Sequence, residues 1–223
     1  MVLAPIMKLA LFDLDNTLIA GDSDCLWGEF LSEQGYVDSE AYQAGHERFY
    51  QEYVEGTMDI HEFLEFQLKV LADNDRSQLE EWRKKYIETK IKPIMLPKAI
   101  ALIDEHRQKG HELLIITATN RFITEPIANA FKIDNLIACE PEEIDGQYTG
   151  KVSGTPSYAE GKVTRLNEWL ENQEQTFDES WFYSDSHNDI PLLKEVDHSI
   201  AVDADDTLIA EAEKQNWPVI SLR

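Results

Sequence analysis

The sequence predicts an α/β protein: a doubly wound parallel sheet interrupted by an inserted helical segment. Three observations carry that expectation. The runs "LALF" (9–12) and "ELLIITAT" (112–119) are short and continuously apolar, as strands buried on both faces of a parallel sheet are. Between them, from about Gly21 to Ile94, no comparable run occurs, and stretches such as "HERFYQEYVEG" and "HEFLEFQLKVL" carry apolar residues at helical spacing. Beyond the second run, strand-like and helix-like segments alternate to the C-terminus, the pattern of a sheet covered by helices on both faces.

The elements follow in order. After the first strand and the helical insertion, "IKPIMLPKAI" returns the chain to the sheet; Pro93 and Pro97 punctuate it as a candidate hinge. Pro97 suits the first turn of a helix that Gly110 would end. "FITEPIANAF" reads as a helix, "NLIAC" as a short strand, and "EIDGQYTGKV" as a hairpin whose Asp145-Gly146 pair suits a tight turn. "GKVTRLNEWL" is helical, "SWFYSD" a strand, "DIPLLKEV" a short helix, and "HSIAVD" and "PVISL" closing strands. The expected division is a Rossmann-like core from residues 1–20 and 95–223, with a helical cap over 21–94.

Composition narrows the class. Of 223 residues, 43% are hydrophobic and 28% charged, a globular balance that argues against extended disorder. The net charge of -23 repels phosphate backbones and anionic headgroups, so neither nucleic acid nor a membrane surface is an expected partner. Cys25 and Cys139 stand far apart and suggest neither a disulfide framework nor a zinc site, in keeping with the cytoplasm. The N-terminal apolar stretch is broken by Pro5 and Lys8, unlike a signal peptide.

In an open α/β sheet, ligands bind beyond the carboxyl ends of the strands. The first strand ends in Asp13 and Asp15, the second in Thr117, Ala118 and Thr119, and a later one in Asp185, followed by Asn188 and Asp189; Lys162 heads a helix after Gly161. Carboxylates without histidine or cysteine partners form a hard oxygen site suited to Mg²⁺ and to substrate phosphate oxygens. One carboxylate can attack phosphorus while a second protonates the leaving alcohol and later activates water. A threonine hydroxyl and a lysine can hold and neutralise the transferring group. A phosphotransferase or a phosphoryl-accepting switch would use the same nucleophile, but an acid/base two residues away favours turnover over a persistent phosphoryl group.

"DLDNT", "LLIITAT", Lys162 and "YSDSHNDIPLL", in this order, resemble the four motifs of the haloacid dehalogenase superfamily, and the resemblance spans most of the chain. It implies that Asp13 is the nucleophile and Asp15 the acid/base, and that Asp13, the Asp15 carbonyl and Asp185 bind Mg²⁺ with Asp189 in support. Thr117, Ala118, Lys162 and Asn188 would hold phosphate. The helical insertion after the first motif and the hairpin "DGQYTGKV" are similar to those of the phosphoserine-phosphatase-like branch. By that resemblance Asp22 lies where a cap carboxylate meets a substrate amine, and Glu65 where phosphoserine phosphatases place an arginine for the substrate carboxylate. A carboxylate there disfavours phosphoserine and favours a cationic substrate without a carboxylate. "GDSDCLWG", "ITATNRF" and "EGKVTRL" also resemble the bacterial branch that includes histidinol-phosphate phosphatases. The expected substrate is therefore a small phosphorylated metabolite, histidinol phosphate ahead of phosphoserine, with a broad small-metabolite phosphatase as a further alternative.

Overall fold

Leu9, Ala10, Leu11 and Phe12 alternate between two apolar layers, and that alternation organises the molecule. The computed structural model describes residues 6–55 and 57–223, the side chain of Ala41 excepted; the start of the expected N-terminal core segment, Pro5 included, and Gly56 lie outside the described residues. The strands are β1 (Ile6–Phe12), β2 (Glu112–Asn120), β3 (Asn135–Ile144), β4 (Gln147–Ser153), β5 (Thr176–Ser184), β6 (His198–Val202) and β7 (Val219–Ile220). They form one sheet of order β4-β3-β2-β1-β5-β6-β7, parallel except for the β3–β4 hairpin. Asp145 and Gly146 close that hairpin with φ of 51° and 79°, the left-handed pair that a tight two-residue turn requires.

Between β1 and β2 the chain forms the helices α1 (Ser23–Glu33), α2 (Ser39–Glu55), α3 (Ile60–Ala72) and α4 (Arg76–Tyr86). A π-helical turn (Ile87–Ile91) and a 3-10 turn (Lys92–Ile94) complete the return. The chain leaves and re-enters the sheet region side by side: Ala20 N donates to Ile94 O at 2.9 Å, Leu96 N donates to Leu18 O at 3.2 Å, and Ile19 and Met95 form an antiparallel bridge. Helix α1 packs between α4 and the helix that follows β2, with the Trp27 ring 5.2 Å from Tyr86 and 5.9 Å from Phe122 between centroids.

Ala10, Phe12, Leu113, Ile115, Tyr183 and Val202 face the layer containing α5 (Pro97–Gln108) and α6 (Arg121–Ala130). Leu9, Leu11, Leu114, Ile116, Phe182 and Ala201 face α7 (Glu160–Glu171), α8 (Ile190–Leu193) and α9 (Asp206–Gln215). Each fully buried leucine or isoleucine contributes about 1.5–3 kcal/mol of transfer free energy, which fixes the register of β1: a slip by one residue would exchange its two faces.

Three elements depart from the sequence expectation. β3 continues past Cys139 because it changes partner, pairing with β2 up to Cys139 and with β4 from Glu140. β5 begins at Thr176, ahead of its apolar run. Helix α9 has no counterpart in the sequence reading: only Leu208 and Ala212 are buried on it, too narrow a stripe to announce a helix. It is defined instead by its ends, with Asp205 accepting from Leu208 N at 2.8 Å and Asn216 left-handed at φ 59°.

Candidate active site

Asp13 extends β1 by one step, its N–H donating to Tyr183 O at 2.9 Å. It therefore lies on the same face as Leu9 and Leu11, the face that α7 covers. That placement brings Lys162, near the start of α7, to it: Lys162 Nζ donates to Asp13 Oδ1 at 2.7 Å and to Asp189 Oδ2 at 2.8 Å. Asp189 Oδ2 also accepts from Ser184 Oγ at 2.6 Å. Gly161 permits this approach, because a Cβ there would stand 2.0 Å from the Pro156 carbonyl oxygen.

Asp15 is held at both oxygens. Ser23 N, at the start of α1, donates to Oδ1 at 2.6 Å; Thr119 Oγ1 donates to Oδ2 at 2.8 Å, with Thr117 Oγ1 at 3.4 Å from the same atom. Thr117 Oγ1 also accepts from Thr119 N at 3.1 Å, and the Thr117 carbonyl accepts from Ser157 Oγ. Ala118 is half-buried between the two threonines. Asp185 Oδ1 accepts from Thr17 Oγ1 at 3.2 Å, and Asn188 Oδ1 accepts from Tyr158 OH at 3.1 Å.

The electrostatics follow from concentrating these groups in a buried place. Burial lifts the Asp13 carboxyl to about 7, against the attraction of Lys162 and with Asp189 and Asp15 adding to the rise. Burial and then the charge of Asp22 raise Asp15 to about 6, while the donors at Ser23 and Thr119 oppose the shift. Asp185 is pushed well above the carboxylate range by burial, Asp13 and Asp189. Burial alone would lower Lys162, but Asp13 and Asp189 outweigh it and hold the ammonium above its ordinary value.

One ammonium thus faces Asp13, Asp185 and Asp189, and Asp13 Oδ2 has no donor among the described residues. That excess of hard, negatively charged oxygen fits a divalent cation. Among the described residues no three His, Cys, Asp or Glu side chains are grouped to hold a metal; the expected set needs only the Asp13 and Asp185 carboxylates with a main-chain carbonyl.

The two substrate-side expectations part here. Asp22 sits close enough to Asp15 to raise its pKa, yet it also caps α1, its Oδ1 accepting from Asp24 N at 2.9 Å and Cys25 N at 2.8 Å. Glu65 is exposed on α3 and is not brought to the carboxylate cluster, because α3 turns Leu64, Gln67, Leu68 and Leu71 inward. Besides Ser23, the insertion reaches the site through a residue the sequence did not single out: Tyr53 OH of α2 lies 2.7 Å from Ser186 Oγ, beside Asn188. Thr17, Ser184 and Tyr53 carried no signal of their own; Thr119 carried a weak one, sharing a strand face with Thr117. A groove of about 560 Å³ between α1 and α2, lined by Cys25, Gly28, Tyr42 and His46, includes none of the strand-end carboxylates.

A fold with these strand-end groups defines a hydrolase class, and the chain belongs to the haloacid dehalogenase-like hydrolases, whose family pattern matches residues 10–194. Its relatives narrow the comparison. It is 42% identical over 220 residues to the histidinol-phosphatase of Neisseria meningitidis serogroup C (strain 8013), covering 97% of this chain and 99% of that one. A crystal structure of a protein of unknown function from Bordetella pertussis Tohama I superposes with a TM-score of 0.93 at 38% identity, covering 98% of this chain and 100% of the other. A phosphoserine phosphatase holding a phospho-aspartyl intermediate analogue shares the fold, with a TM-score of 0.69 at 20% identity and coverage of 98% and 95%.

Proposed function

We propose that this chain, a phosphoric monoester hydrolase, removes phosphate from histidinol phosphate through an aspartyl-phosphate intermediate on Asp13. The observation that carries the reading is the Lys162 bridge between Asp13 and Asp189, across the cleft from Asp15 in its cradle of hydroxyl and amide donors. Asp13 Oδ2 attacks phosphorus and the ester oxygen leaves, taking a proton from Asp15; Asp15 then accepts a proton from the water that hydrolyses the acyl phosphate. Lys162 keeps Asp13 oriented and offsets charge on the transferring group, and Thr117, Ala118 and Asn188 position its oxygens. Asp13, Asp185 and the Asp15 carbonyl would hold Mg²⁺, which neutralises phosphate charge when bound; Asp189 supports them through Lys162. Residues 21–94 act as a cap on the core formed by 1–20 and 95–223.

Histidinol phosphate is favoured over phosphoserine by the 42% identical relative and by the charges that the insertion presents. Among the described residues, no lysine or arginine from 21–94 hydrogen-bonds or ion-pairs with a strand-end site residue. An ammonium or imidazolium would meet Asp22, whose charge acts on Asp15. The exposed position of Glu65 removes it from this argument.

The test is phosphate release by the purified protein with Mg²⁺ from histidinol phosphate, phosphoserine and a neutral aryl phosphate. Histidinol phosphate is expected to have the highest kcat/KM; faster hydrolysis of phosphoserine would overturn the substrate assignment. Asp13→Asn is expected to lower kcat by about 10³-fold or more, and retained turnover would overturn the nucleophile assignment.

A further inference from the structure

Ser186 follows Asp185 directly and is buried where the core meets α2. Its Oγ caps the short turn His187–Asp189, accepting from Asn188 N at 3.2 Å, and it also accepts from Asn188 Nδ2 at 3.4 Å. A serine oxygen carries two lone pairs and one hydrogen. With both lone pairs facing Asn188, the hydrogen is left for Tyr53, whose phenol oxygen lies 2.7 Å away. Tyr53 is thus the acceptor, with its ring 6.3 Å from that of His187 between centroids. Burial pushes the Tyr53 phenol up, while Ser186 and Asn188 oppose the rise, as donors aimed at its oxygen do. At the other end of the Asn188 amide, Oδ1 accepts from Tyr158 OH at 3.1 Å.

The two ends of an asparagine amide have nearly the same shape, so its orientation is decided by the hydrogen bonds at each end. Tyr158 can donate or accept and does not choose between them. Ser186 chooses only while its own hydrogen is committed elsewhere. We infer that Tyr53 is a positioning residue of this hydrolase: by taking the Ser186 hydrogen it holds the Asn188 amide in the orientation that keeps an Nδ2 hydrogen available to the phosphoryl group. Without the phenol, Ser186 can donate to Asn188 Oδ1, and the amide can reverse and present a carbonyl oxygen to phosphate. The inference rests on the phosphomonoesterase reading above, in which Asn188 positions phosphoryl oxygens, and deepens it. It also assigns a task to α2. Arg76 and Arg83 tie the insertion to Glu143 and to the Phe122 carbonyl on the β2–β3 side. Among the described residues, Tyr53 to Ser186 is the one hydrogen bond from 21–94 to the segment running from β5 to α9.

Tyr53→Phe deletes one hydroxyl and keeps the ring. Steady-state kinetics with Mg²⁺ are measured for wild type, Y53F, N188A and the double variant on histidinol phosphate and on an aryl phosphate. Y53F is expected to lower kcat/KM by about tenfold on both esters alike, the worth of one hydrogen bond to a charged group, and to have no further effect in the N188A background. An undiminished effect in that background would make Tyr53 a packing residue of the insertion and overturn the inference, as would wild-type kcat/KM in Y53F. If Y53F does not fold, Ser186→Ala removes the same link from the core side and is read against N188A in the same way. Calorimetry with inorganic phosphate in the presence of Mg²⁺ reads the effect without turnover: affinity is expected to fall by about tenfold in Y53F, and unchanged affinity overturns the inference while the hydrolase reading stands. A wild type that shows this loss of phosphate affinity but does not turn over histidinol phosphate overturns the substrate assignment and keeps the inference.

Discussion

Replacing Lys162 with methionine separates two contributions of one side chain. The Lys162 side chain is only 3% exposed between Asp13 and Asp189, and removing one partner of a buried ion pair costs about 3–5 kcal/mol because the other charges remain. Urea unfolding is expected to show a loss of that order for K162M, alongside loss of phosphate release; an unchanged midpoint would mean that the pair is neutral in the folded chain. Thr119→Val acts more narrowly, deleting the 2.8 Å donor to Asp15 Oδ2. Its kcat is expected to fall by about tenfold with little change in KM, and an unaffected kcat would remove Thr119 from the positioning of Asp15. At this scale the charged residues were readable because Asp13, Asp15, Lys162, Asp185 and Asp189 combine unusual residue types with strand-end positions. Thr17 and Ser184 were not, and Thr119 was named only for its strand-end position, since a hydroxyl near a strand gains meaning only when register and crossover place it against a particular carboxylate.

Among the elements, α7 depends most on a single residue. A methyl group at Gly161 would meet the Pro156 carbonyl at 2.0 Å, so Gly161→Ala is expected to displace the first turn of α7 and withdraw Lys162. Phosphate release should fall by about tenfold or more while stability changes by only about 1–3 kcal/mol; full activity would show that the turn can shift without moving the ammonium. The helices of the insertion were readable from apolar spacing, and α5 from Pro97. Helix α9 and residues 140–142, which join the expected strand to the expected hairpin, escaped detection for one reason: both are rich in polar and charged residues, and they are held by capping groups and by pairing with β4 rather than by an apolar stripe. Glu65 shows the converse. Its place in a motif-like stretch suggested a site, but the helical phase of α3 points it outward and turns Gln67 inward.

For the whole molecule, the carboxylate cluster couples protons to stability, and a bound Mg²⁺ would enter the same balance. Asp13 and Asp15 titrate near 7 and 6 in the folded chain, against 3.8 ordinarily. Between about pH 4 and pH 7 the folded state therefore holds more protons than the unfolded one, and these groups lower the stability of the metal-free chain as pH rises through that window. A divalent cation bound at Asp13 and Asp185 would take the place of protons there above that window. Mg²⁺ is accordingly expected to raise Tm by about 4 °C or more near pH 8 and by less near pH 5, measured by thermal melts with and without the ion; equal shifts at both pH values would show that the cation does not bind these carboxylates.

The linear sequence determined the alternation of apolar strands and helices, the helical character of 21–94, and the family of strand-end groups, because each is written in residue type and local period. Tertiary structure alone decided which hydroxyls cradle Asp15, that Tyr53 joins the insertion to Ser186, that Glu65 is exposed, and that Asp24 is buried near Asp22 and Asp15. Those facts depend on packing between segments far apart in the chain; the contact of Thr17 with Asp185, for instance, spans 168 positions. Local propensity carries no information about such distances, whereas burial changes a carboxylate from a solvated surface charge into a group that must find a proton, a lysine, a metal or a substrate.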